Sequence, residues 1–566
     1  MNTDLRLEFC AMNSRVGDIT GNSQRIQQAW QQADNRHADL LFLPEMALSG
    51  YPAEDLVLRR TFMQQIEQEV VRLVTLSSQM RTALMLTTPW YHEGKMVNSA
   101  LLVEHGAIVQ VIGKCELPNY GVFDEARWFV PAIEPSPVSF RGYRLGVMIC
   151  EDVWLPHLSQ RLAQAGATVL ISLNASPWTQ NKRDQRLQVL RQRVSETKLP
   201  LVYLNLLGGQ DELVFDGGGY VLNAREELIA SWPAWQEQNY LLSLDSVQGQ
   251  PIESTAQRLM QQEPLAELYQ ALLLGLRDYI TKNGFTSVVL GLSGGIDSAL
   301  VAMLAADALG AEQVRAVMLP SRYSSEGSIE DARELAQRSG ISLYSLPISA
   351  AHTAFEQTLS TIITPEPLKD LTEQNLQARS RGALLMALSN QWGSLLLSTG
   401  NKSEVAVGYC TLYGDMCGGF NPVKDVYKTQ IYALCQWRNQ FQPWQGKVQA
   451  LNVIPQAIIS KAPSAELKPG QQDSDSLPPY ETLDALLQLL IEENLTAAEI
   501  VARGFSPGQI VQVAGLLERA EYKRRQAAPG TKISELALSR ERRYPLTSGF
   551  IFAAGEMSRV EQQTYD

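Results

Sequence analysis

The first half of the chain alternates short apolar runs with segments whose apolar residues recur at helical spacing. Runs with the length and composition of buried strands lie at 5–12, 40–43, 83–88, 145–149, 169–174 and 201–205. Helical spacing is found between several of them, at 26–38, 154–166 and 186–197. Pro44 and Pro89 follow two of these runs, and we expect the strands to end there because proline cannot donate to a ladder. The alternation predicts an α/β layered domain with polar residues along one rim.

The second half has a more regular order. Helical spacing at 265–282 is followed by strand patterns near 288–292, 313–319 and 341–347, with helical segments at 299–309 and 328–339 between them. This β-α-β-α-β order predicts a parallel, doubly wound sheet. Ligands bind such sheets at the carboxyl ends of the strands. The motifs SGGIDS (293–298), LPSRYSS (319–325) and LSTGNKSE (397–404) all lie at such ends.

Length and composition indicate a multidomain globular protein. With 566 residues the chain is too long for one core. Residues 244–264 are polar and mixed, with two prolines, and predict a linker with some helix towards its end. We therefore expect domains at 1–243 and 265–566.

Charge and cysteine content exclude several classes of protein. The net charge of −12 argues against binding nucleic acid through its phosphates. The N-terminus resembles no signal peptide, and no apolar run is long enough to predict a membrane span. The six cysteines form no C-x-x-C pair, which argues against a disulfide framework or a zinc site and favours a reducing cytoplasm.

The SGGIDS segment has the chemistry of a phosphate-binding turn. Glycines allow close approach of the backbone, Ser293 and Ser298 offer hydroxyls, and the following helix points free N–H groups at the same position. Asp297 would repel phosphate unless Mg²⁺ lies between them. The Walker pattern does not occur in the chain. An ordinary glycine-rich turn is the alternative, but the segment resembles the PP-loop of the ATP pyrophosphatases, which implies ATP and Mg²⁺.

Glu45, Lys114 and Cys150 form a chemical set at the ends of predicted elements of the first half. A carboxylate can take the thiol proton, and an ammonium can stabilise the oxyanion formed when the thiolate attacks a carbonyl. Taken singly, each has an ordinary explanation: a small buried cysteine, a surface acid and a solvated lysine.

The flanking motifs LPEMALSG (43–50), KCELPNYGVFD (114–124) and GVMICED (146–152) resemble the nitrilase, or carbon–nitrogen hydrolase, superfamily. The resemblance covers residues 1–240. It implies an α-β-β-α sandwich in which Glu45 is the general base, Lys114 stabilises the oxyanion and Cys150 is the nucleophile.

Similarity to the glutaminase branch of that superfamily implies a glutamine pocket. The residues it points to are Tyr120, Glu151, Trp154, Ser176 and Lys182. Glu151 would receive the substrate ammonium, whereas Ser176 and Lys182 would hold its carboxylate. Tyr120 and Trp154 would wall the pocket, with core packing as the alternative. Residues 210–219 also resemble this branch and predict a hairpin near the site.

Motifs from SGGIDS to YKRR (522–525) resemble NAD synthetase, and the whole chain resembles the glutamine-dependent NAD synthetase family. The resemblance implies a set of ATP-binding residues: Gly291, Leu292, Ser293, Gly294, Gly295, Ile296, Asp297, Ser298, Thr399, Lys428 and Ser464. It assigns Asn375, Arg379, Glu404 and Lys523 to deamido-NAD, and Asp297 and Glu404 to Mg²⁺. It also implies a homo-oligomer, at least a dimer through the second half.

Two departures limit this resemblance. Ammonia-dependent relatives carry a lysine and an aspartate for the dinucleotide where this chain has Leu412 and Gly419. We therefore assign no role to these two positions. Residues 468–479, rich in Pro, Ser and Asp, are either a disordered surface loop or a lid that orders over the nucleotide.

The function implied is a two-step synthesis of NAD. Glutamine hydrolysis at Cys150 supplies ammonia, and the second half uses ATP to convert deamido-NAD to an acyl-adenylate that ammonia attacks. An internal tunnel is expected, because free ammonia at neutral pH is mostly ammonium. The alternatives are a PP-loop ligase acting on another carboxylate, and an amidase with a nucleotide-sensing second half. Intact Asp297 and Glu404 argue against the latter.

Overall fold

The computed structural model describes residues 4–133, 135–245, 251–254, 263–363, 368 and 370–550. The chain divides into two compact units, Met1–Gln262 and Glu263–Asp566. Within the interval 244–264, predicted as a linker, Pro251–Ser254 forms a strand. Some helix is expected towards the end of that interval: residues 255–262 lie outside the described residues, and a helix begins at Pro264. Within the described residues, no helix is long and apolar enough to cross a bilayer.

The first unit contains fifteen strands and four α-helices among its described residues. The strands are β1 Leu5–Ala11, β2 Leu40–Phe42, β3 Ala83–His92, β4 Lys95–Glu104, β5 Ala107–Gly113, β6 Val138–Phe140, β7 Tyr143–Ile149, β8 Val169–Asn174, β9 Leu201–Asn205, β10 Leu207–Gln210, β11 Leu213–Asp216, β12 Gly219–Leu222, β13 Leu228–Trp232, β14 Gln238–Leu244 and β15 Pro251–Ser254. The helices are α1 Ile19–Asn35, α2 Arg60–Ser77, α3 Pro156–Gln164 and α4 Lys182–Thr197.

Two mixed sheets form the centre of this unit. One has the order β15-β14-β1-β2-β3-β4-β5 and the other β13-β12-β9-β8-β7-β6. Strands β1, β2 and β3 are parallel to one another, as are β7, β8 and β9, so the carboxyl ends of each set lie at one edge of its sheet. A hairpin does form here, but its strands β10 and β11 span 207–216 and so begin three residues before the predicted 210–219.

The apolar residues of the first unit sort into three layers. Side chains of both sheets, such as Phe9, Phe42 and Ile171, share one inner core. The outer face of the first sheet packs against α1 and α2, and that of the second against α3 and α4. The predicted α-β-β-α sandwich is confirmed.

The strand expected to end before Pro89 continues to His92, so this prediction is wrong. Strand β3 pairs with β2 only from Ala83 to Met85, whereas its antiparallel pairing with β4 extends to His92. At Pro89 one side of β3 therefore has no strand to bond, and the missing N–H removes no ladder bond on that side.

The second unit is built on four strands and twelve α-helices in its described part. The strands are β16 Val288–Gly291, β17 Val314–Met318, β18 Ser342–Ser345 and β19 Leu395–Leu397. The helices are α5 Pro264–Lys282, α6 Ile296–Leu309, α7 Glu326–Ser339, α8 Ser349–Leu359, α9 Asp370–Trp392, α10 Lys402–Val407, α11 Lys428–Gln440, α12 Gln456–Ser460, α13 Tyr480–Ile491, α14 Ala497–Ala502, α15 Pro507–Arg519 and α16 Glu521–Arg524.

All four strands of this unit are parallel and have the order β18-β17-β16-β19. The strand order reverses at β16, where successive connections leave in opposite directions. A crevice at the carboxyl ends is expected at such a point. The predicted doubly wound sheet is confirmed, and the SGGIDS segment follows its central strand.

Helix α6 is apolar on every side and almost entirely buried, as expected for a helix inside a core. Its one deeply buried charge near the C-terminal end, Asp307, accepts hydrogen bonds from Arg438 at 2.7 and 3.1 Å and from the Tyr269 hydroxyl at 2.6 Å. Asp307 and Arg438 are both fully buried. This ion pair fixes α11 and α5 against α6.

We expect Asp307→Ala to destabilise the second unit by about 3–5 kcal/mol, because it leaves the Arg438 guanidinium buried without its partner. The measurement is urea-induced unfolding of the full chain. Glu334→Ala is the control, because it breaks the exposed Glu334–Arg338 pair and should change stability by less than about 1 kcal/mol. Equal effects of the two substitutions would contradict the assignment.

Candidate functional site

Glu45 and Lys114 meet in the interior of the first unit. Glu45 stands three residues after β2, and Lys114 directly follows β5. The Lys114 ammonium donates to Glu45 Oε1 at 2.8 Å, and both side chains are fully buried. Glu45 is held further by the amide of Asn98 at 2.7 Å and by the backbone N–H of Ala175 at 3.0 Å. The carboxylate is therefore fixed by three donors from three separate segments.

Cys150 directly follows β7, and its φ of +49° places it in the left-handed region. Such a conformation is uncommon for a residue with a side chain and is typical of strained functional turns. Burial raises the pKa of the Cys150 thiol well above its usual value; Glu45 raises it further, and Lys114 opposes the shift. The thiol therefore needs a proton acceptor before it can attack. The three residues that the sequence predicts as a set interact electrostatically in one buried place.

Glu125 joins this group and was not among the predicted residues. Its Oε1 accepts from Lys114 at 2.8 Å and from the Tyr51 hydroxyl at 2.8 Å. Burial raises the pKa of Glu125, an effect that Lys114 opposes. Burial by itself lowers the pKa of Lys114, but Glu125 and Glu45 outweigh it and hold that pKa well above its usual range. The signal available in the sequence was position, since Glu125 immediately follows the 114–124 motif.

Asp152 links the Cys150 turn to the Lys114 segment. Its carboxylate accepts hydrogen bonds from the backbone N–H groups of Ile149 at 3.0 Å, Cys115 at 3.1 Å and Glu116 at 2.8 Å. Ile149 precedes Cys150, whereas Cys115 and Glu116 follow Lys114. One buried side chain thus sets the separation of the two segments.

The residues predicted for glutamine form two contacting pairs. The Tyr120 hydroxyl lies 3.1 Å from each oxygen of Glu151, and the Lys182 ammonium lies 4.5 Å from the Trp154 ring centroid. Tyr120 is 59% exposed, so core packing does not explain it. Burial raises the pKa of Glu151, and the Tyr120 hydrogen bond opposes that rise.

Ser176 is held by partners that sequence reasoning did not identify. The buried Arg186 guanidinium donates to the Ser176 carbonyl at 2.7 Å and to its hydroxyl at 3.3 Å. Asn205 accepts from the Ser176 N–H at 2.9 Å, and Asp216 pairs with Arg186 at 2.6 Å. An arginine in a polar helical segment is normally exposed, so this buried contact could not be predicted from the sequence pattern.

The SGGIDS turn lines a cavity of about 680 Å³ in the second unit. This volume is in the range of small-molecule sites. The cavity wall contains all the residues predicted to bind ATP, namely Gly291, Leu292, Ser293, Gly294, Gly295, Ile296, Asp297, Ser298, Thr399, Lys428 and Ser464. Glu404 also lines it. Helix α6 begins here without a side-chain cap, which leaves its first N–H groups available to an anion.

Lys428 lies between two carboxylates in this cavity. Its ammonium donates to Asp297 Oδ2 at 2.5 Å and to Glu404 Oε1 at 3.2 Å, and Asn401 donates to the other oxygen of Asp297 at 2.8 Å. Burial raises the pKa of Glu404 to about 8; Lys428 opposes this shift and Asp297 adds to it. The pair of carboxylates therefore already holds a cation.

The remaining residues predicted for deamido-NAD meet at a loop beside the cavity wall. Lys523 donates to the carbonyls of Gly408 and Cys410, both at 2.7 Å. Arg379 donates to the Leu412 carbonyl at 3.2 Å, and Asn375 accepts from Thr411 at 2.9 Å. The structure brings these three side chains together on the segment 408–412.

The two units define a class of protein in which a thiol amidohydrolase is joined to an ATP-dependent ligase. The carbon–nitrogen hydrolase family model matches residues 7–256, and the NAD synthase family model matches residues 268–527. The chain belongs to the glutamine-dependent NAD(+) synthetase family.

Individual relatives support this assignment over nearly the whole length. The chain is 43% identical to the glutamine-dependent NAD(+) synthetase of Rhodobacter capsulatus, covering 97% of this chain and 99% of the relative. It is 42% identical to that of Acinetobacter baylyi, covering 96% and 98%. A solved structure of the Acinetobacter baumannii synthetase in complex with ADP matches with a TM-score of 0.77 and 39% identity, covering 97% and 100%. A synthetase from Cytophaga hutchinsonii, 22% identical with a TM-score of 0.83 and covering 99% and 100%, shows the same fold.

We expect Gly294→Ala to weaken ATP binding at least tenfold. Gly294 has φ +79°, and an added Cβ would lie 2.1 Å from the Ser328 carbonyl oxygen, so the turn must move. Gly327→Ala is the matched control, because its Cβ would meet nothing within 4 Å. Equilibrium dialysis with ATP measures both variants, and equal affinities would contradict the role of the turn.

The raised pKa of Cys150 predicts slow alkylation at neutral pH. Because the thiolate is the reactive form, its fraction at pH 8 should be below that of an ordinary thiol, and the rate should still be rising at pH 9. Mass spectrometry of iodoacetamide labelling at Cys150, with N-acetylcysteine as reference, measures this profile. A plateau below pH 8 would show a lowered pKa instead.

Proposed function

We infer that this chain catalyses the ATP-dependent amidation of deamido-NAD to NAD, with nitrogen taken from the amide of glutamine. The observation that carries the inference is that one chain holds both the buried group of Glu45, Lys114 and Cys150 and the nucleotide-sized cavity at SGGIDS. Relatives that align over nearly the full length are named for this reaction.

Glutamine hydrolysis begins when Cys150 Sγ attacks the amide carbon and Glu45 accepts the thiol proton. Lys114 stabilises the oxyanion, and Glu45 then protonates the leaving nitrogen as the C–N bond breaks. Ammonia and a thioester on Cys150 result. Water, deprotonated by Glu45, then cleaves the C–S bond, which releases glutamate and restores the thiol.

In the proposed glutamine pocket, each charged group of the substrate is matched by a protein group that can bind it. Glu151 receives the α-ammonium of the substrate, since its carboxylate is oriented by Tyr120. Ser176 and Lys182 hold the α-carboxylate, and Trp154 forms a wall with its ring against Lys182. Arg186 keeps Ser176 in place.

The ligase step forms an acyl-adenylate. The nicotinate carboxylate of deamido-NAD attacks the α-phosphorus of ATP, pyrophosphate leaves, and ammonia then displaces AMP from the carbonyl carbon. Backbone N–H groups and hydroxyls of 293–298 hold the phosphates, with Thr399, Lys428 and Ser464 completing the site. Asn375, Arg379 and Lys523 orient the dinucleotide through the loop they share.

Asp297 and Glu404 are the residues that would hold Mg²⁺. Their carboxylates are hard oxygen donors that already enclose the Lys428 ammonium, so the donor set and the local charge fit a divalent cation. When bound, Mg²⁺ supplies positive charge that offsets the repulsion between phosphate and carboxylate oxygens.

The family resemblance extends the proposal to assembly and location. We propose at least a dimer through the second unit, where α8 and α9 expose the apolar side chains of Phe355, Leu371 and Met386. All six cysteines are free, which fits a reducing cytoplasm. Ammonia passes internally between the two reactions, because ammonium is not a nucleophile.

We expect Cys150→Ala to abolish NAD synthesis from glutamine, by about 10⁴-fold or more, because the nucleophile is lost. Synthesis supported by added ammonium chloride should continue at close to the wild-type rate. The measurement is NAD formation from deamido-NAD and ATP with each nitrogen source. Loss of both activities in a folded variant would show that the division of labour is wrong.

The reciprocal variant Asp297→Ala should stop NAD formation from both nitrogen sources and leave glutamine hydrolysis measurable.

Release of AMP by the wild-type protein distinguishes the ligase from an amidase whose second unit only senses nucleotide. A panel of carboxylate substrates distinguishes deamido-NAD from other acids.

A further inference from the structure

Asp473 lies in the wall of the SGGIDS cavity and has one oxygen without a partner. Its side chain is 5% exposed, its Oδ2 accepts from the Tyr480 hydroxyl at 2.8 Å, and its backbone N–H donates to the Pro463 carbonyl at 3.1 Å. Oδ1 is buried and has no hydrogen-bond partner of good geometry within the described residues, although the Tyr409 hydroxyl is close enough to the carboxylate for Asp473, after burial, to raise its pKa. An unsatisfied buried carboxylate oxygen is costly and indicates that a ligand completes the site.

The charges around Asp473 identify the kind of ligand. Its negative charge acts on Glu404 and Lys428, so it belongs to the same electrostatic group as Asp297. The Lys428 ammonium lies 5.2 Å from the ring centroid of Tyr480, whose hydroxyl donates to Asp473. Two carboxylates thus contact Lys428 and a third, Asp473, acts on it from farther away, in a cavity that under the proposed function must also accept the anionic phosphates of ATP. A further cation is needed to balance them.

Asp473 is not placed to bind that cation directly together with the other two acids. In the part of the chain that the structure describes, no three carboxylate, imidazole or thiol side chains converge on one metal-sized position. Mg²⁺ usually keeps several waters and takes only one or two carboxylates from the protein. A third carboxylate therefore acts most simply on a water ligand of the metal.

We propose that Asp473 is a positioning residue that accepts a hydrogen bond from a water ligand of the divalent cation held by Asp297 and Glu404. This rests on the proposed function of the second unit. Oδ1 would accept the hydrogen bond from that water, while the Tyr480 hydroxyl holds Oδ2.

Asp473 is held in position by its chain segment. It stands in the segment 461–479, which crosses the cavity wall and is fastened to the start of α7: Glu466 accepts from the hydroxyls of Ser325 and Ser328, both at 2.8 Å. Asp473 and Leu477 are buried, so the segment is packed against the unit rather than extended into solvent. Asp473 therefore occupies a fixed position in the cavity wall.

The test measures Mn²⁺ binding to the full chain by electron paramagnetic resonance, in the presence of α,β-methylene-ATP, which cannot release pyrophosphate. We expect Asp473→Asn to weaken Mn²⁺ binding about 10- to 100-fold, as the loss of an outer partner of a metal ligand typically does. Asp475→Asn is the matched control: it removes the same charge two residues away, where the side chain is exposed and accepts from the Gln472 N–H at 3.1 Å. Its Mn²⁺ affinity should equal that of the wild type.

Equal Mn²⁺ affinities in Asp473→Asn and the wild type would overturn the proposal. NAD formation by the wild-type protein is measured first, so failure of the proposed function is seen separately as absence of product. A structural role alone predicts a lower melting temperature for Asp473→Asn with unchanged Mn²⁺ affinity.

A second measurement uses the wild-type protein and does not depend on the folding of a variant. Fe²⁺ replaces Mg²⁺ in the presence of the same nucleotide, and ascorbate with hydrogen peroxide generates radicals that cleave the backbone near the metal. We expect cleavage within 470–476 in addition to cleavage near Asp297 and Glu404. Cleavage at the latter two positions alone would also overturn the proposal.

Discussion

Each unit depends on a buried ammonium group enclosed by carboxylates. Lys114 lies between Glu45 and Glu125 in the first unit, and Lys428 lies between Asp297 and Glu404 in the second. Burying these charges singly would cost several kcal/mol each. Together they are stable only where the surrounding strands and turns hold the groups within hydrogen-bonding distance. The folds are therefore constrained most strictly at the places where the chemistry occurs.

In the first unit, this group of charges lies just beyond the ends of strands. Alternate side chains of each strand in the first unit face the apolar core that the two sheets share. A carboxylate or lysine at such a position would be buried in that core. Directly after a strand, the chain is free to turn its side chain along the rim while the strand fixes its position. Glu45, Lys114 and Cys150 follow β2, β5 and β7 in the chain. Strand β2 is parallel to β1 in one sheet, and β7 is parallel to β8 in the other, so Glu45 and Cys150 each lie beyond the carboxyl end of a parallel strand.

The position of a residue relative to a strand also determines whether it could be predicted from the sequence. The fold class and the residues at strand ends follow from apolar periodicity, because strands and the turns after them have local patterns. Glu125 and Arg186 have no such pattern: each is buried by a partner distant in sequence, and charged residues are exposed by default. The extension of β3 through Pro89 was likewise hidden, because it depends on which neighbouring strand ends first.

Lys114 and Lys428 differ in whether ligand binding would change their contacts. Lys114 is enclosed by carboxylates. In the proposed mechanism it does not need to leave them, because the charge that it stabilises would form on an oxygen beside it. Lys428 lies between two oxygen donors that also suit a divalent cation. If ATP and Mg²⁺ bind in this cavity as proposed, the contacts of Lys428, Asp297 and Glu404 would have to be redistributed. In the proposed function, substrate binding would therefore rearrange the contacts of Lys428, whereas the contacts of Lys114 are already in place.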